Sequence, residues 1–160
     1  MPSTYTKIIT TTLSSNTSEV EIASIPNTYS DLVLVVSGTT TGNANVRIRF
    51  NYDNTNSYIW HCIGATTGIQ QILQTSQTSL RLTYPALFNT DPSSRTVHIN
   101  DYANTSKYKT ILSRGGSSAG TDISTGTWLN TDPIYGIYVS TDTQNFAVGT
   151  VFTLYGILKG

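Results

Sequence analysis

The sequence predicts an all-β protein, a jelly-roll-like antiparallel β-sandwich of about ten short strands. Short segments in which apolar and polar residues alternate recur at roughly dozen-residue spacings, as in sandwiches and jelly rolls. Asn, Asp, Gly, Ser and Pro separate these segments and favour turns. A helical spacing of apolar residues occurs once, at Ile69, Ile72 and Leu73, where one helical turn is expected.

Period-two alternation and β-branched content define the first predicted strands. Val20 and Ile22 share one strand face, and the glutamates between them share the other. The apolar run Leu32–Val36 predicts either a strand that is covered on both faces or one that is central to a sandwich. Arg47 and Arg49 alternate with apolar neighbours and therefore lie on a solvated strand face. These strands span Tyr5–Leu13, Ser18–Ser24, Leu32–Val36 and Asn45–Asn51.

The later strands are bounded by Asp, Pro, Ser, Asn and Thr turns. Between them, Gly115–Gly120 predicts a flexible loop that uses positive φ angles. No linker composition and no internal repeat divides the chain, so residues 1–160 are expected to form a single domain. The later strands are predicted at Ser57–Ile63, Ser79–Tyr84, Thr96–Tyr102, Tyr108–Ser113, Gly126–Leu129, Ile134–Ser140 and Thr150–Leu158.

The composition narrows the possible partners. Charged residues make up 11% of the 160 residues, the net charge is zero and the pI is about 6.7. The chain has no excess of basic residues, which nucleic-acid-binding proteins usually have. No apolar run has the length of a membrane span. Neither nucleic acid nor a membrane is therefore expected as a partner. The N-terminal residues lack the apolar core of a signal peptide, which predicts synthesis in a cytoplasm.

Catalytic and metal-binding motifs are sparse. Cys62, the single cysteine, follows His61 directly, and neighbouring residues of a strand face opposite sides, so the two cannot form a nucleophile pair. Glu19 and Glu21 are the closest carboxylate pair and are interpreted as solvated charges. The segment Asp53–Asn56 lacks the later Gly and Glu of a calcium loop. The sequence thus predicts a non-enzymatic protein without a metal or cofactor.

The aromatic residues allow two interpretations. Ten Tyr and two Trp can fill the core or an oligomer interface, where aromatic residues are enriched. They can also offer rings on which sugars stack. Under that alternative, Trp60 and Trp128 are the candidate glycan-stacking residues.

Several segments carry a resemblance to a known family. They are Tyr5–Thr12, Ser24–Leu34, Val46–Asn51 and Phe146–Ile157. In these segments the chain resembles small virion proteins of tailed bacteriophages, including cyanophages, of the capsid decoration or cement type. The resemblance implies a jelly-roll sandwich, commonly a homotrimer, that binds the major capsid protein on the outer capsid surface of the virion. No catalytic residue belongs to the pattern.

The resemblance leaves two roles open. The first is a cement protein that stabilises the shell, with an N-terminal arm over residues 1–6 that adds a strand to a neighbouring sheet. The second is a receptor- or glycan-binding module of a tail fibre or appendage. The compact length favours the first role. The predicted contacts of the arm with the capsid or with other subunits are Met1, Pro2, Ser3, Thr4 and Tyr5.

Overall fold

A computed structural model describes residues 4–158 and contains two antiparallel β-sheets. The prediction of an all-β antiparallel sandwich is confirmed. Within the described residues the strands number twelve, two more than the approximate sequence count. They are β1 (Tyr5–Thr12), β2 (Glu19–Ile22), β3 (Asp31–Gly38), β4 (Val46–Phe50), β5 (Tyr58–Ala65), β6 (Ile69–Gln77), β7 (Leu80–Arg81), β8 (Ser93–Asn100), β9 (Lys109–Ser117), β10 (Gly120–Trp128), β11 (Ile137–Thr141) and β12 (Val151–Ile157).

The strand order mixes local hairpins with long crossovers. The large sheet has the order β1-β12-β3-β8-β9-β10-β5-β6, and the small sheet has the order β2-β11-β4-β7. The first and last strands of the chain pair with each other, Tyr5 opposite Ile157. In the small sheet, β4 pairs with both β11 and β7, so segments distant in sequence meet there. None of the described residues forms a helix long and apolar enough to cross a membrane.

The core lies between the two sheets and follows the alternation that the sequence predicts. In β4, Val46, Ile48 and Phe50 are fully buried, and the arginines between them reach the surface. Leu34 from β3 and Leu154 from β12 belong to the same apolar cluster, contributed by the opposite sheet. Full burial of each such aliphatic side chain stabilises the fold by about 1.5–3 kcal/mol relative to exposure.

Strand β3 is buried along its core face, whereas its outer face is buried at Val33, half-buried at Val35 and exposed at Ser37. Leu32, Leu34 and Val36 face the core. Val33 lies on the outer face and is 7% exposed because Tyr155 and His98 flank it on the two neighbouring strands. Cross-strand side chains, rather than a third layer, therefore cover this outer position.

Two segments predicted as a helical turn and a loop are mainly strand, and some predicted strands have other bounds, such as β10, which begins at Gly120 and not at Gly126. The helical turn expected at Ile69, Ile72 and Leu73 is wrong, because these residues lie in β6, an edge strand paired with β5. The flexible loop expected at Gly115–Gly120 is wrong for most of its length. Gly115 and Gly116 belong to β9 and pair with β10, and a two-residue turn at Ser118 and Ala119 connects the strands. A Cβ at position 115 would overlap the carbonyl oxygen of Ser94, so close strand packing requires glycine there.

Candidate functional site

The N-terminal residues predicted to contact a capsid are only partly within the described chain. Met1, Pro2 and Ser3 lie outside the described residues. The carbonyl oxygen of Thr4 accepts a hydrogen bond from the N–H of Leu158 at 3.3 Å. Tyr5 opens β1 and makes an edge contact with the Tyr155 ring. Of the predicted arm, Tyr5 and Thr6 are therefore part of their own chain's sheet, where their backbone pairs with β12.

The two tryptophans predicted to stack on sugars are buried. Trp128 is 1% exposed, packs against the rings of Phe50 and Tyr58, and donates its indole N–H to the Asp53 carboxylate at 2.6 Å. Trp60 is 6% exposed. The expectation of exposed rings is therefore wrong for both tryptophans, and neither offers a free face to a sugar. Tyr58, Trp60 and Cys62 alternate along β5 toward the core, a signal that the sequence already carried.

Two pairs of buried polar side chains lie within the large sheet, whereas the Ser113 hydroxyl and two of the Arg95 nitrogens are buried without a hydrogen-bond partner among the described residues. Arg95 and Asp122 are fully buried and form an ion pair, and Asp122 also accepts a hydrogen bond from the N–H of Tyr84 at 2.6 Å. The Cys62 thiol lies 2.8 Å from the Ser124 hydroxyl. Burial, the largest effect, raises the pKa of the Cys62 thiol to about 11. At neutral pH the thiol is therefore protonated and a poor nucleophile.

Within residues 4–158, no group of three or more His, Cys, Asp and Glu side chains is placed to hold a metal ion. The loop after β4 uses its carboxylate for structure. Asp53 accepts hydrogen bonds from the Thr55 N–H (2.9 Å), the Thr55 hydroxyl (2.6 Å) and the Ser57 hydroxyl (2.6 Å), in addition to the Trp128 indole. Each of these contacts is a donor to the carboxylate, which fits a closed turn rather than a cation site.

The outer surface of the large sheet carries a cluster of exposed aliphatic side chains, here called the apolar face. Ile63 on β5 is directly opposite Ile123 on β10. The register places Ile69 and Leu73 of β6 on the two diagonals from Ile63, and Leu112 of β9 on a diagonal from Ile123. The five exposed fractions are 42% (Ile63), 83% (Ile69), 62% (Leu73), 45% (Leu112) and 48% (Ile123). The apolar face is therefore contiguous across four strands.

The strand at the border of the apolar face is uncharged. β6 is an edge strand with the sequence Ile-Gln-Gln-Ile-Leu-Gln-Thr-Ser-Gln and carries no ionisable side chain. The opposite edge strand, β1, carries Lys7 and a register shift between Lys7 and Ile9. A lysine and a bulge are features that discourage edge-to-edge association. Of the two edge strands of the large sheet, β1 has these protective features, whereas β6 has no lysine to discourage association with another strand.

A polar cleft lies on another part of the surface, where β4, β5, β6 and β7 meet. Its volume is about 220 Å³. Arg47 and Arg81 are direct cross-strand partners within it, and the Asp142 carboxylate lies 3.5 Å from Arg47 and 3.8 Å from Arg81. The cleft, here called the arginine cleft, is lined by Arg47, Trp60, Ile72, Gln74, Gln77, Ser79 and Arg81.

Electrostatics in the arginine cleft favour an anion. Burial, followed by the neighbouring Arg47 charge, lowers the pKa of Arg81. Burial raises the pKa of Asp142, but hydrogen bonds from Asn45 and the charge of Arg47 outweigh it and hold that pKa below its usual value. Two guanidinium groups thus share one ionised carboxylate. Sequence reasoning missed this site because β4 and β7 are separated in sequence, and only their pairing brings the arginines together.

Comparison with known proteins returned no match, neither to a family model, nor to a curated protein, nor to a solved structure.

Proposed function

We propose that this chain is a non-enzymatic capsid decoration (cement) protein of a tailed bacteriophage, which binds the outer head surface as an oligomer and stabilises the shell. The sequence resemblance described above supports this role, and the all-β sandwich is the fold that the resemblance implies. The observation that carries the proposal in the structure is the apolar face of the large sheet.

The apolar face has the character of a protein-binding surface. Ile69 and Leu73 expose 83% and 62% of their surface, and they adjoin Ile63 and Ile123. Contiguous exposed apolar patches rimmed by polar residues mark interaction sites on soluble proteins. Thr121 and Thr125 flank Ile123 along β10, and Arg114 lies directly opposite Ile123 on β9, so polar residues adjoin the patch. A surface of this kind contributes binding energy mainly through apolar burial, which salt does not screen.

Oligomerisation would strengthen attachment to a shell. A modest contact per subunit becomes tight when several linked subunits bind at once, because the later contacts are intramolecular. We expect a homotrimer, the form that the resemblance implies, with the major capsid protein as the partner in the virion. The predicted contact by Met1, Pro2 and Ser3 remains part of this proposal.

A binding experiment on heads that lack the protein tests the proposal. Purified wild-type protein is added to undecorated heads of the phage that encodes it, and bound protein is measured after sedimentation at low and high salt. We expect saturable binding that changes little with salt. The double variant Ile63→Ser/Ile123→Ser should lose most of this binding, because it removes the centre of the apolar face.

Val148→Ser is the matched control, since Val148 is 57% exposed and lies outside the apolar face. It should bind as the wild type does. Circular dichroism confirms that each variant is folded. Wild-type protein that does not bind undecorated heads contradicts the cement role, and a double variant that binds normally contradicts the use of the apolar face.

The appendage alternative loses its first supporting feature with the burial of Trp60 and Trp128. Sugar stacking requires an accessible ring, which neither residue provides. The cement role is therefore the function that the geometry supports best.

A further inference from the structure

We propose that the arginine cleft is a binding site for the carboxylate of an acidic sugar, a hexuronic acid unit of a glycan. This activity is separate from capsid decoration and does not depend on it. Four features of the cleft support this assignment: its charge, the fixed position of Arg81, its neutral lining and its size.

The cleft has an uncompensated positive charge. The Asp142 carboxylate accepts its short hydrogen bonds from Asn45, at 2.9 Å from the backbone N–H and 2.5 Å from the side-chain amide. Arg47 and Arg81 lie farther from Asp142, at 3.5 and 3.8 Å. One carboxylate therefore faces two guanidinium groups, which leaves one positive charge for a ligand anion.

Arg81 is held in place without using its hydrogen-bond donors. Its guanidinium carbon lies 5.6 Å from the centre of the Trp60 ring and 5.6 Å from that of Tyr84. Both distances are in the range of cation–π contacts, which hold the guanidinium against the two rings. Among the hydrogen bonds of the described residues none involves the Arg81 guanidinium, and its Nε is buried without a partner. A fixed guanidinium with unused donors matches the two oxygens of a carboxylate.

Arg47 supplies a second, more accessible cation. Its side chain is 41% exposed, compared with 20% for Arg81. Because the two residues are direct cross-strand neighbours, both can approach one anion. The more buried group sets the position of the carboxylate, and the more exposed one adds charge at the entrance.

The remaining walls fit a sugar ring rather than a bare anion. Gln74, Gln77 and Ser79 bring neutral donors and acceptors suited to hydroxyl groups, and Ile72 gives an apolar wall. A volume of about 220 Å³ lies below the range of drug-sized sites and suits one monosaccharide. An acidic peptide side chain would use the arginines but would not supply hydroxyl groups for Gln74 and Ser79.

The experiment is an NMR titration of the folded, ¹⁵N-labelled full chain with sodium glucuronate. Parallel titrations use glucose, which lacks the carboxylate, and N-acetylglutamate, which lacks the sugar ring. We expect saturable shifts confined to cleft residues with glucuronate, and weaker binding of the other two compounds. Added NaCl should weaken glucuronate binding, since the ion contacts are partly exposed.

Two charge-removing variants and one matched control test the residues. Arg81→Gln and Arg47→Gln should each weaken glucuronate binding, by about tenfold or more for Arg81, because hydrogen bonds to charged groups are among the strongest. Arg49→Gln is the control: it removes an arginine from the same strand, whose charge is already paired with Glu19 at 2.5 Å. The control should bind as the wild type does.

The titrations with glucuronate, glucose and N-acetylglutamate can each contradict the proposal. Absence of saturable glucuronate binding at tens of millimolar, or equal binding of glucose, overturns the proposal. N-acetylglutamate that binds as tightly as glucuronate assigns the cleft to acidic peptides instead. If Arg81→Gln does not fold, Arg47→Gln still provides the test, because its side chain is at the surface.

Discussion

Asp53 offers the sharpest test of how the loop after β4 holds the core. Its carboxylate joins Thr55 and Ser57 of its own loop to the indole of buried Trp128. Asp53→Asn keeps the shape of the side chain but removes its charge. We expect the variant to fold with lower stability at neutral pH, because a charged acceptor makes stronger hydrogen bonds than a neutral amide.

The size of the stability loss in Asp53→Asn follows from the lowered pKa of Asp53. Burial alone would raise the pKa of Asp53, but the hydrogen bonds from Ser57, Thr55 and Trp128 lower it from 3.8 to about 2. Since each pKa unit is worth about 1.36 kcal/mol, the upper limit of the stabilisation is about 2.4 kcal/mol. Solvent screening of a partly exposed group reduces this to about 1–2 kcal/mol. A chain of this size then loses about 3–6 °C in Tm.

The stabilisation contributed by Asp53 decreases as the pH falls. The folded-state pKa of Asp53 is below its unfolded value, so the folded state favours the ionised form. The stabilisation is complete above the unfolded pKa of 3.8 and is lost as the pH falls through the folded value of about 2. The stability difference between wild type and Asp53→Asn should therefore shrink toward zero between about pH 5 and pH 2.

The assay is urea unfolding followed by tryptophan fluorescence at a series of pH values from neutral to 2. Asp91→Asn is the matched control, because Asp91 is exposed in a loop and its carboxylate accepts one surface hydrogen bond, from the Ser118 hydroxyl. It should leave the free energy of unfolding nearly unchanged. An Asp53→Asn variant as stable as the wild type at neutral pH, or a difference that does not depend on pH, would refute the reasoning.

Three further predictions concern the core. Gly156→Ala should lower the free energy of unfolding by about 1–3 kcal/mol in urea denaturation, because its Cβ would overlap the Tyr29 ring; unchanged stability would contradict this packing. Cys62 should resist iodoacetamide in the folded protein at pH 8 and react fully in urea, since it is buried with a pKa of about 11; rapid labelling of the folded chain contradicts its burial. Arg95→Met should lower the free energy of unfolding by about 3–5 kcal/mol, because it leaves the Asp122 charge buried and unpaired. If the added change Asp122→Asn restores stability, that charge is the cause. A loss below about 1 kcal/mol contradicts this explanation.

Strands with one buried face were predictable from the sequence. In β2, Val20 and Ile22 are buried and the glutamates are exposed, as the alternation indicates. β4 shows the same relation between its apolar residues and its arginines. Burial on one face imposes a period of two on the residue types, so local pattern alone identifies such strands.

The edge strand β6 was not predictable in this way. Most of its residues are exposed on both faces, so no alternation is imposed on its Gln- and Thr-rich sequence. Ile69 and Leu73 have a helical spacing with Ile72, but the strand places both of them on the apolar face. The glycines of β9 were missed for a related reason, because a residue without a side chain contributes nothing to a hydrophobic pattern.

The candidate sites depended on long-range pairing. Arg47 and Arg81 meet only because β4 pairs with β7, and Asp142 reaches them from the end of β11. Burial of Trp60 was foreseeable from its alternation with Tyr58, whereas the cation–π contact of Arg81 with its ring was not. The local sequence pattern predicted which face of a strand is buried in the core, but not which strands pair with each other.

Cryo-electron microscopy of the intact particle that contains this chain tests the central claim most directly. The cement role predicts regularly spaced density for the sandwich over the outer icosahedral shell, as trimers that contact the major capsid protein. Density confined to the tail, the baseplate or the fibres would contradict the cement role.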